Sequence, residues 1–237
     1  MPDFRYRSQQ SEIMDDLNCA GEVVNQTLRE LDFINHWLGG NDVTLKGIDH
    51  LLKVGSPVNS SLHVVDMGCG SGDMLRLIHD QLSKTFPDLI LTGIDANPNI
   101  IAFAQSQLKA NTNLKFRSVN VFDASFQQEQ FDIITATLFL HHFKEDELIH
   151  LLQTWKQQAR LGIVINDLHR HPLAYHSIKL LTSVFSRSAM VKFDAPLSVL
   201  RGFTRDDWRT LLKNAGISKY TLNWKWAFRW QISIPAQ

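Results

Sequence analysis

The run VVDMGCGSGD, Val64 to Asp73, decides the fold. It sets Asp66 at the end of an apolar strand-like segment and places Gly68, Gly70 and Gly72 in the turn that follows, ahead of a helical pattern near residues 73 to 85. Glycine lets backbone pass close to a ligand, and a helix N-terminus offers unpaired N–H groups to a carboxylate or phosphate. Cys69 lies inside this turn, where a small side chain suffices. The spacing is G-x-G-x-G, whereas the dinucleotide-binding fingerprint is G-x-G-x-x-G, so a pyrophosphate is not the natural reading.

Outward from the loop, short apolar strands alternate with helices. LHVVDM is followed by the helix near 73 to 85, LILTGID by a helix opening at Asn97-Pro98, then LKFRSVNV, FDIITATLFL with a helix near 144 to 159, and GIVINDL. Such alternation specifies an α/β, Rossmann-like, doubly wound sheet. Asn97 as N-cap and Pro98 at the first helical position form a good helix start. Thr204 with Asp207 three residues on opens another helix, and ISKYTLNW and AFRWQISI close the chain as an antiparallel pair. The fold expected is a seven-stranded, mainly parallel sheet with that C-terminal pair. An N-terminal helical cap over residues 1 to 55 precedes a main domain over 56 to 237. Within 8 to 54, Ile13, Leu17, Val24, Leu28, Leu31, Ile34 and Leu38 recur at helical spacing, and Gly39-Gly40 separates a second helix near 43 to 54. Residues 170 to 203, with an amphipathic run at 173 to 191, read as an insertion on the substrate side. Trp224, Trp226, Phe228 and Trp230 alternate, forming one face if the strand is continuous.

Asp66 with the GCGSG loop, Asp95 closing the second strand and FDIITATLFLHHF at the fourth resemble, in order, the motifs of class I SAM-dependent methyltransferases over about residues 62 to 168. The resemblance implies S-adenosylmethionine (SAM) as cofactor. Asp66, Gly68, Cys69, Gly70 and Gly72 would cradle its methionine part, Asp95 with Ala96 and Asn97 would hold the ribose, Asp123 would meet the adenine amino group, and Leu138 would belong to the same cofactor site. Asp95 follows Gly72 by 23 residues, the interval of a βαβ unit.

Ligands of open parallel sheets lie beyond the carboxyl ends of the strands. The fourth and fifth ends read LFLHHF and INDLHRH, bringing together His141, His142, Asp167, His169 and His171. A histidine near neutral pKa can take a hydroxyl proton, with a carboxylate fixing its tautomer. His169 is the first candidate base, His141 the second, and Asp167 the orienting acid. No acidic oxygen set marks a catechol-type metal, so no metal is expected. The absence of an Asn/Asp-Pro-Pro-Tyr/Phe sequence after the fourth strand turns the expectation toward oxygen or carbon acceptors. The helical cap, LHH and N-D-L-H-R together resemble methyltransferases of quinone, phenol and polyketide-type metabolism, which implies a small, apolar or aromatic acceptor. Phe33, Trp37, Leu180, Leu181, Val184, Phe185, Met190 and Phe193 offer apolar surface for it, or for packing.

Lys plus Arg and Asp plus Glu both number 24, so no net charge points to nucleic acid. Two cysteines make no disulfide framework, no run is long enough to span a membrane, and a cytoplasmic setting is the simplest. Apolar faces on the cap helices make a homodimer reasonable. Two other readings stay open: a SAM-binding regulatory protein without transfer activity, and an NAD-type oxidoreductase.

Overall fold

The computed structural model describes residues 2–55, 61–108 and 113–236. Its centre is a seven-stranded sheet of β1 (Ser61–Met67), β2 (Asp88–Asp95), β3 (Leu114–Ser118), β4 (Phe131–Thr137), β5 (Ala159–Leu168), β6 (Thr221–Lys225) and β7 (Arg229–Pro235). The order is β3-β2-β1-β4-β5-β7-β6. β1 to β5 run parallel, and β7 pairs antiparallel with both β5 and β6. The doubly wound sheet and its antiparallel C-terminal pair are therefore as the sequence predicts.

Helices α1 (Glu22–Trp37), α2 (Gly40–Val54), α3 (Asp73–Leu82), α4 (Pro98–Ser106), α5 (Glu145–Gln158), α6 (Pro172–Phe185), α7 (Ala189–Arg201) and α8 (Arg205–Asn214) complete the chain. Burial on both sheet faces explains why the strands read as continuous apolar runs. Val65, Met67, Ile134 and Ile165 pack with Trp155 of α5 and Trp208 of α8 on one side. Leu62, Val64, Leu91 and Val164 pack with Ile48 of α2, Leu75 of α3 and Ile101 of α4 on the other. Each such fully buried aliphatic side chain contributes about 1.5–3 kcal/mol of transfer free energy.

The caps behave as their residues require. Asn97 accepts the Asn99 N–H at 2.8 Å, and Thr204 and Asp207 exchange reciprocal bonds of 3.2 and 2.7 Å. Gly39 takes φ 70, the left-handed turn that lets α2 start at Gly40. α2 packs on β5 and β7 as a sheet-covering helix. Gly47 is needed there, because a Cβ would run into Val164.

Two local expectations change. Residues 8 to 21 are not helical beyond a single 3-10 turn at Ile13–Asp15, and Ile13 and Leu17 are exposed, since this segment lies as a strap across the molecule. The alternating aromatics are not one strand: the turn at 226–228 divides them, so Trp230 is buried while Trp224 and Trp226 are exposed. The expected start of the main domain at 56 lies outside the described residues.

Candidate active site

The strand order reverses between β1 and β4, the switch point where ligands of open parallel sheets collect. A cavity of about 510 Å³ lies there. Asp66, Gly68, Cys69, Gly70, Asp95, Ala96, Asn97 and Leu138 all line it. Gly68, Gly70 and Gly72 have φ of 69, 52 and 77. A Cβ on Gly68 would enter the Phe139 ring, and one on Gly72 the Phe116 ring, so the loop accepts glycine for both shape and space. Gly68 and Cys69 donate to the Ile94 carbonyl at 2.8 and 2.9 Å, tying the loop to the end of β2. Asp95 accepts the Asn97 N–H at 2.9 Å. Gly72 caps α3 and is not itself in the cavity wall.

Asp123 is a correction. It is exposed and outside the cavity wall, because its N–H bonds back to the Asn120 carbonyl at 2.9 Å and the turn carries its side chain outward. Asn120, with Val119, Val121 and Phe122, occupies the wall instead.

One end of this cavity is unusually acidic. Burial holds Asp66 up at about 7 even though the Thr135 hydroxyl donates to it at 2.7 Å. Asp32, reaching down from α1 to accept the Ser71 hydroxyl at 2.6 Å, is also held at about 7 by burial and by Asp73. Asp73 at the start of α3 is raised by burial too. Three carboxyls pushed toward their neutral forms around one space favour a cationic group between them. Nothing in the local sequence marked Asp32, since its role depends on α1 folding over the glycine loop.

A second cavity of about 270 Å³ adjoins the first. α6 and α7, the expected insertion, contribute Ala174, Ser177, Ile178, Val191 and Val199 among its walls, and Met14, Leu31, Leu138 and His142 line both cavities. His141 is buried at its side, with Nδ1 2.8 Å from Asp167 Oδ1. Asp167 also accepts the N–H groups of Leu140 at 2.9 Å, His141 at 3.2 Å and Leu168 at 2.7 Å. Burial alone would raise the Asp167 carboxyl, but the His141 ring and these donors hold it below the usual range. An ionised Asp167 at Nδ1 fixes the tautomer that leaves His141 Nε2 as an acceptor.

Across from Nε2, at 3.7 Å, stands Glu12 Oε1, which has no hydrogen-bond partner. Burial pushes Glu12 up to about 7. His142 Nδ1 in turn meets Asp15 at 2.6 Å, and Arg201 reaches Asp15 at 2.5 Å. Burial opposes ionisation of Asp15, but these two partners draw its pKa well down. Glu12, His141 and His142 also sit close enough to form a candidate metal-ligating group among the described residues, although Arg201 Nε, 3.7 Å from Glu12, already brings a positive charge there. The strap is held by side chains far along the chain: Asp194 accepts the Ile13 and Met14 N–H groups at 2.8 and 3.1 Å, and Arg7 donates to the His141 and Phe143 carbonyls at 3.0 Å each. Glu12 and Asp15 were not singled out from sequence, because the partners that give them roles lie over a hundred positions away; His142 was named among the strand-end candidates without a role.

His169 is the second correction. It follows β5, but its ring packs on Phe228 and Trp230, and Trp224 Nε1 donates to its Nδ1 at 3.2 Å. It lines neither cavity, and burial lowers its pKa to about 4. The β6–β7 hairpin folding over the strand end draws it away from the cleft. His171 caps α6 through the Leu173 N–H.

Residues 64–162 match the model of a methyltransferase domain. A malonyl-[acyl-carrier protein] O-methyltransferase from Acetivibrio thermocellus is 27% identical over 86 residues, 36% of this chain and 28% of that relative's length. Human N-acetylserotonin methyltransferase, solved with SAM, superposes with a TM-score of 0.61 at 19% identity, covering 91% of this chain and 56% of that one. The plantazolicin methyltransferase BpumL, solved with a monoazolic desmethylPZN analogue and SAH, gives 0.63 at 21% identity, covering 90% and 89%. The fold, the ordered motifs and the matched domain are those of class I methyltransferases. In fold and in that domain the chain is similar to SAM-dependent members of the class. No described helix is long and apolar enough to cross a membrane.

Proposed function

We propose that this protein transfers a methyl group from SAM to an oxygen of a small, largely apolar acceptor and releases S-adenosylhomocysteine (SAH). The observation that carries this reading is the pair of adjoining cavities, one acidic and glycine-walled, the other apolar, with the buried His141–Asp167 pair beside the second. The O-methyltransferase relative and the SAM- and SAH-bound neighbours support the cofactor and the reaction class.

The residues present fit SAM. The glycine loop gives its backbone to the methionine part, Asp95 accepts from the ribose hydroxyls, and Asn120 takes the adenine edge in place of Asp123. Asp32, Asp66 and Asp73 receive the α-ammonium, whose charge keeps them ionised. When bound, the cofactor supplies a methyl on a sulfonium leaving group. The chain has to align the acceptor and hold its proton. His141 Nε2 accepts that proton as the new bond to oxygen forms, and Asp167 stabilises the resulting imidazolium. The strap and α1 shut water out as a lid, and α6 with α7 shapes the acceptor. An oxygen acceptor is favoured over carbon because a histidine backed by a carboxylate is placed to remove a hydroxyl proton. Phe33, Trp37, Leu180, Val184 and Phe185 are exposed on the outer faces of α1 and α6 and support a homodimer through that surface.

Asp95→Ala tests the cofactor assignment. Loss of two hydrogen bonds to a charged acceptor, about 1.5–3 kcal/mol each, should weaken SAH by at least roughly a hundredfold with the unfolding midpoint little changed. A folded variant with wild-type SAH affinity removes Asp95 from the site.

A further inference from the structure

Arg229 opens β7 opposite Leu168 of β5 and is 3% exposed. The other buried arginines are compensated. Arg170 reaches Asp207 at 2.9 Å and Arg201 reaches Asp15, while Arg7 spends its N–H groups on three backbone carbonyls. Among the described residues Arg229 has no carboxylate within ion-pair distance. Its Nη1 meets the neutral Asn166 Oδ1 at 3.5 Å, and its Nε has no partner. Burial lowers it to about 10 while the Asp167 carboxylate, beyond ion-pair distance, opposes that shift, so it is charged at neutral pH with only a distant counter-charge. A buried cation without a carboxylate at ion-pair distance is costly to the fold, and an anion that reaches it relieves that cost.

The surroundings favour such an anion. Arg229 lines the second cavity and is absent from the wall of the first. Gly40 packs on its guanidinium, where a Cβ would lie 2.7 Å from Cζ and Nη2. Gly40 also begins the fifteen-residue α2, whose N-cap Gly39 offers no side-chain cap, so the partial positive charge of that helix end adds to the arginine's. The rest of the cavity is mostly aliphatic and aromatic, with Leu31, Ile34, Leu38 and Phe228 on its walls; its two carboxyls, Glu12 and Asp194, belong to the strap contacts, Glu12 facing Arg201 and Asp194 accepting the Ile13 and Met14 N–H groups.

We propose that the acceptor carries a carboxylate and that Arg229 is the residue that holds it, deep in the second cavity and away from the oxygen that is methylated. This rests on the methyltransferase reading for the meaning of that cavity. The guanidinium fork matches a carboxylate bidentately and completes its own pairing by doing so, while the apolar walls take the remainder of the molecule. A neutral apolar acceptor would fill the same volume and leave the cation uncompensated. Acceptors are therefore selected by an acidic group at one end and presented to His141 by a hydroxyl elsewhere.

Thermal unfolding of the SAH-saturated full chain tests this, with benzoate and benzamide as the two additives. Benzoate is expected to raise the wild-type midpoint by a few degrees, and benzamide, of the same shape without the charge, to leave it unchanged. Arg229→Met is expected to unfold at a higher temperature than wild type without additive, since it removes an unpaired buried charge, and to show no response to benzoate. Arg229→Lys, which keeps the charge and loses the fork, should keep part of the response and covers the case in which the methionine variant does not fold. Equal responses to the two additives, no response to benzoate in wild type, or a benzoate response retained in Arg229→Met overturns the assignment. The midpoint shift caused by SAH alone reads the methyltransferase proposal separately, so the two can fail independently.

Discussion

Replacing Asp167 with alanine is expected to lower the stability of the protein by about 3–5 kcal/mol, because several buried donors lose their acceptor at about 1–3 kcal/mol each. Asp167 is fully buried and accepts from three backbone N–H groups and the His141 ring. Three of these donors, Leu140 N–H and both His141 groups, belong to the turn that carries the LHH sequence from β4, so the carboxylate holds that turn against the end of β5. Alanine leaves all of them unsatisfied beside a small void. Urea unfolding of wild type and variant measures the loss, and a difference below about 1 kcal/mol would mean that the network is not formed. Asp167→Asn separates structure from chemistry. It keeps the volume but turns an amide toward the His141 ring, so the tautomer is no longer fixed; by analogy with the serine-protease triad, turnover then falls by orders of magnitude even where the fold survives.

SAH affinity should rise steeply as pH increases through about 7, by roughly tenfold per pH unit for each proton displaced. The cause is the acidic end of the first cavity. Without ligand, burial holds Asp32 and Asp66 at about 7, above their values in the unfolded chain. Such groups favour the folded state when protonated, so their contribution is complete below the unfolded pKa, near 4, and is lost as pH rises through 7. The ligand-free protein should consequently melt at a lower temperature at pH 8 than at pH 6. An α-ammonium seated among Asp32, Asp66 and Asp73 favours the ionised carboxylates, so binding below pH 7 expels protons and is weakened. Calorimetry in buffers of different ionisation enthalpy counts those protons. A flat affinity between pH 6 and 8 with no proton release would remove the carboxyls from the cofactor's ammonium.

The parts legible in the sequence are those encoded locally. Gly68, Gly70 and Gly72 could be read because a strand-to-helix turn at positive φ with rings pressed against it admits little else. The strands could be read because two-sided burial writes continuous apolar runs, and Asn97-Pro98 because caps are local chemistry. Asp95 and Asp167 followed from the rule that strand ends carry the site. What was not legible depends on long-range contact. Asp15 reaches His142 across 127 positions, and Arg229 draws its meaning from meeting Asn166 and no carboxylate at ion-pair distance. His169 misled because it shares the strand-end address with Asp167, yet the β6–β7 hairpin supplies an aromatic nest that holds it elsewhere. Asp123 misled because composition cannot tell which residue of a tight turn faces inward, and here it is Asn120.

Calorimetric titration of the purified chain with SAH and, in parallel, NADH tests the central claim most directly. Micromolar binding of SAH with no heat from NADH is the expected result, since the loop spacing and the acidic cleft suit a sulfur nucleoside bearing an ammonium and not a pyrophosphate. Binding of NADH in the absence of any SAH binding would contradict it and return the chain to the oxidoreductases.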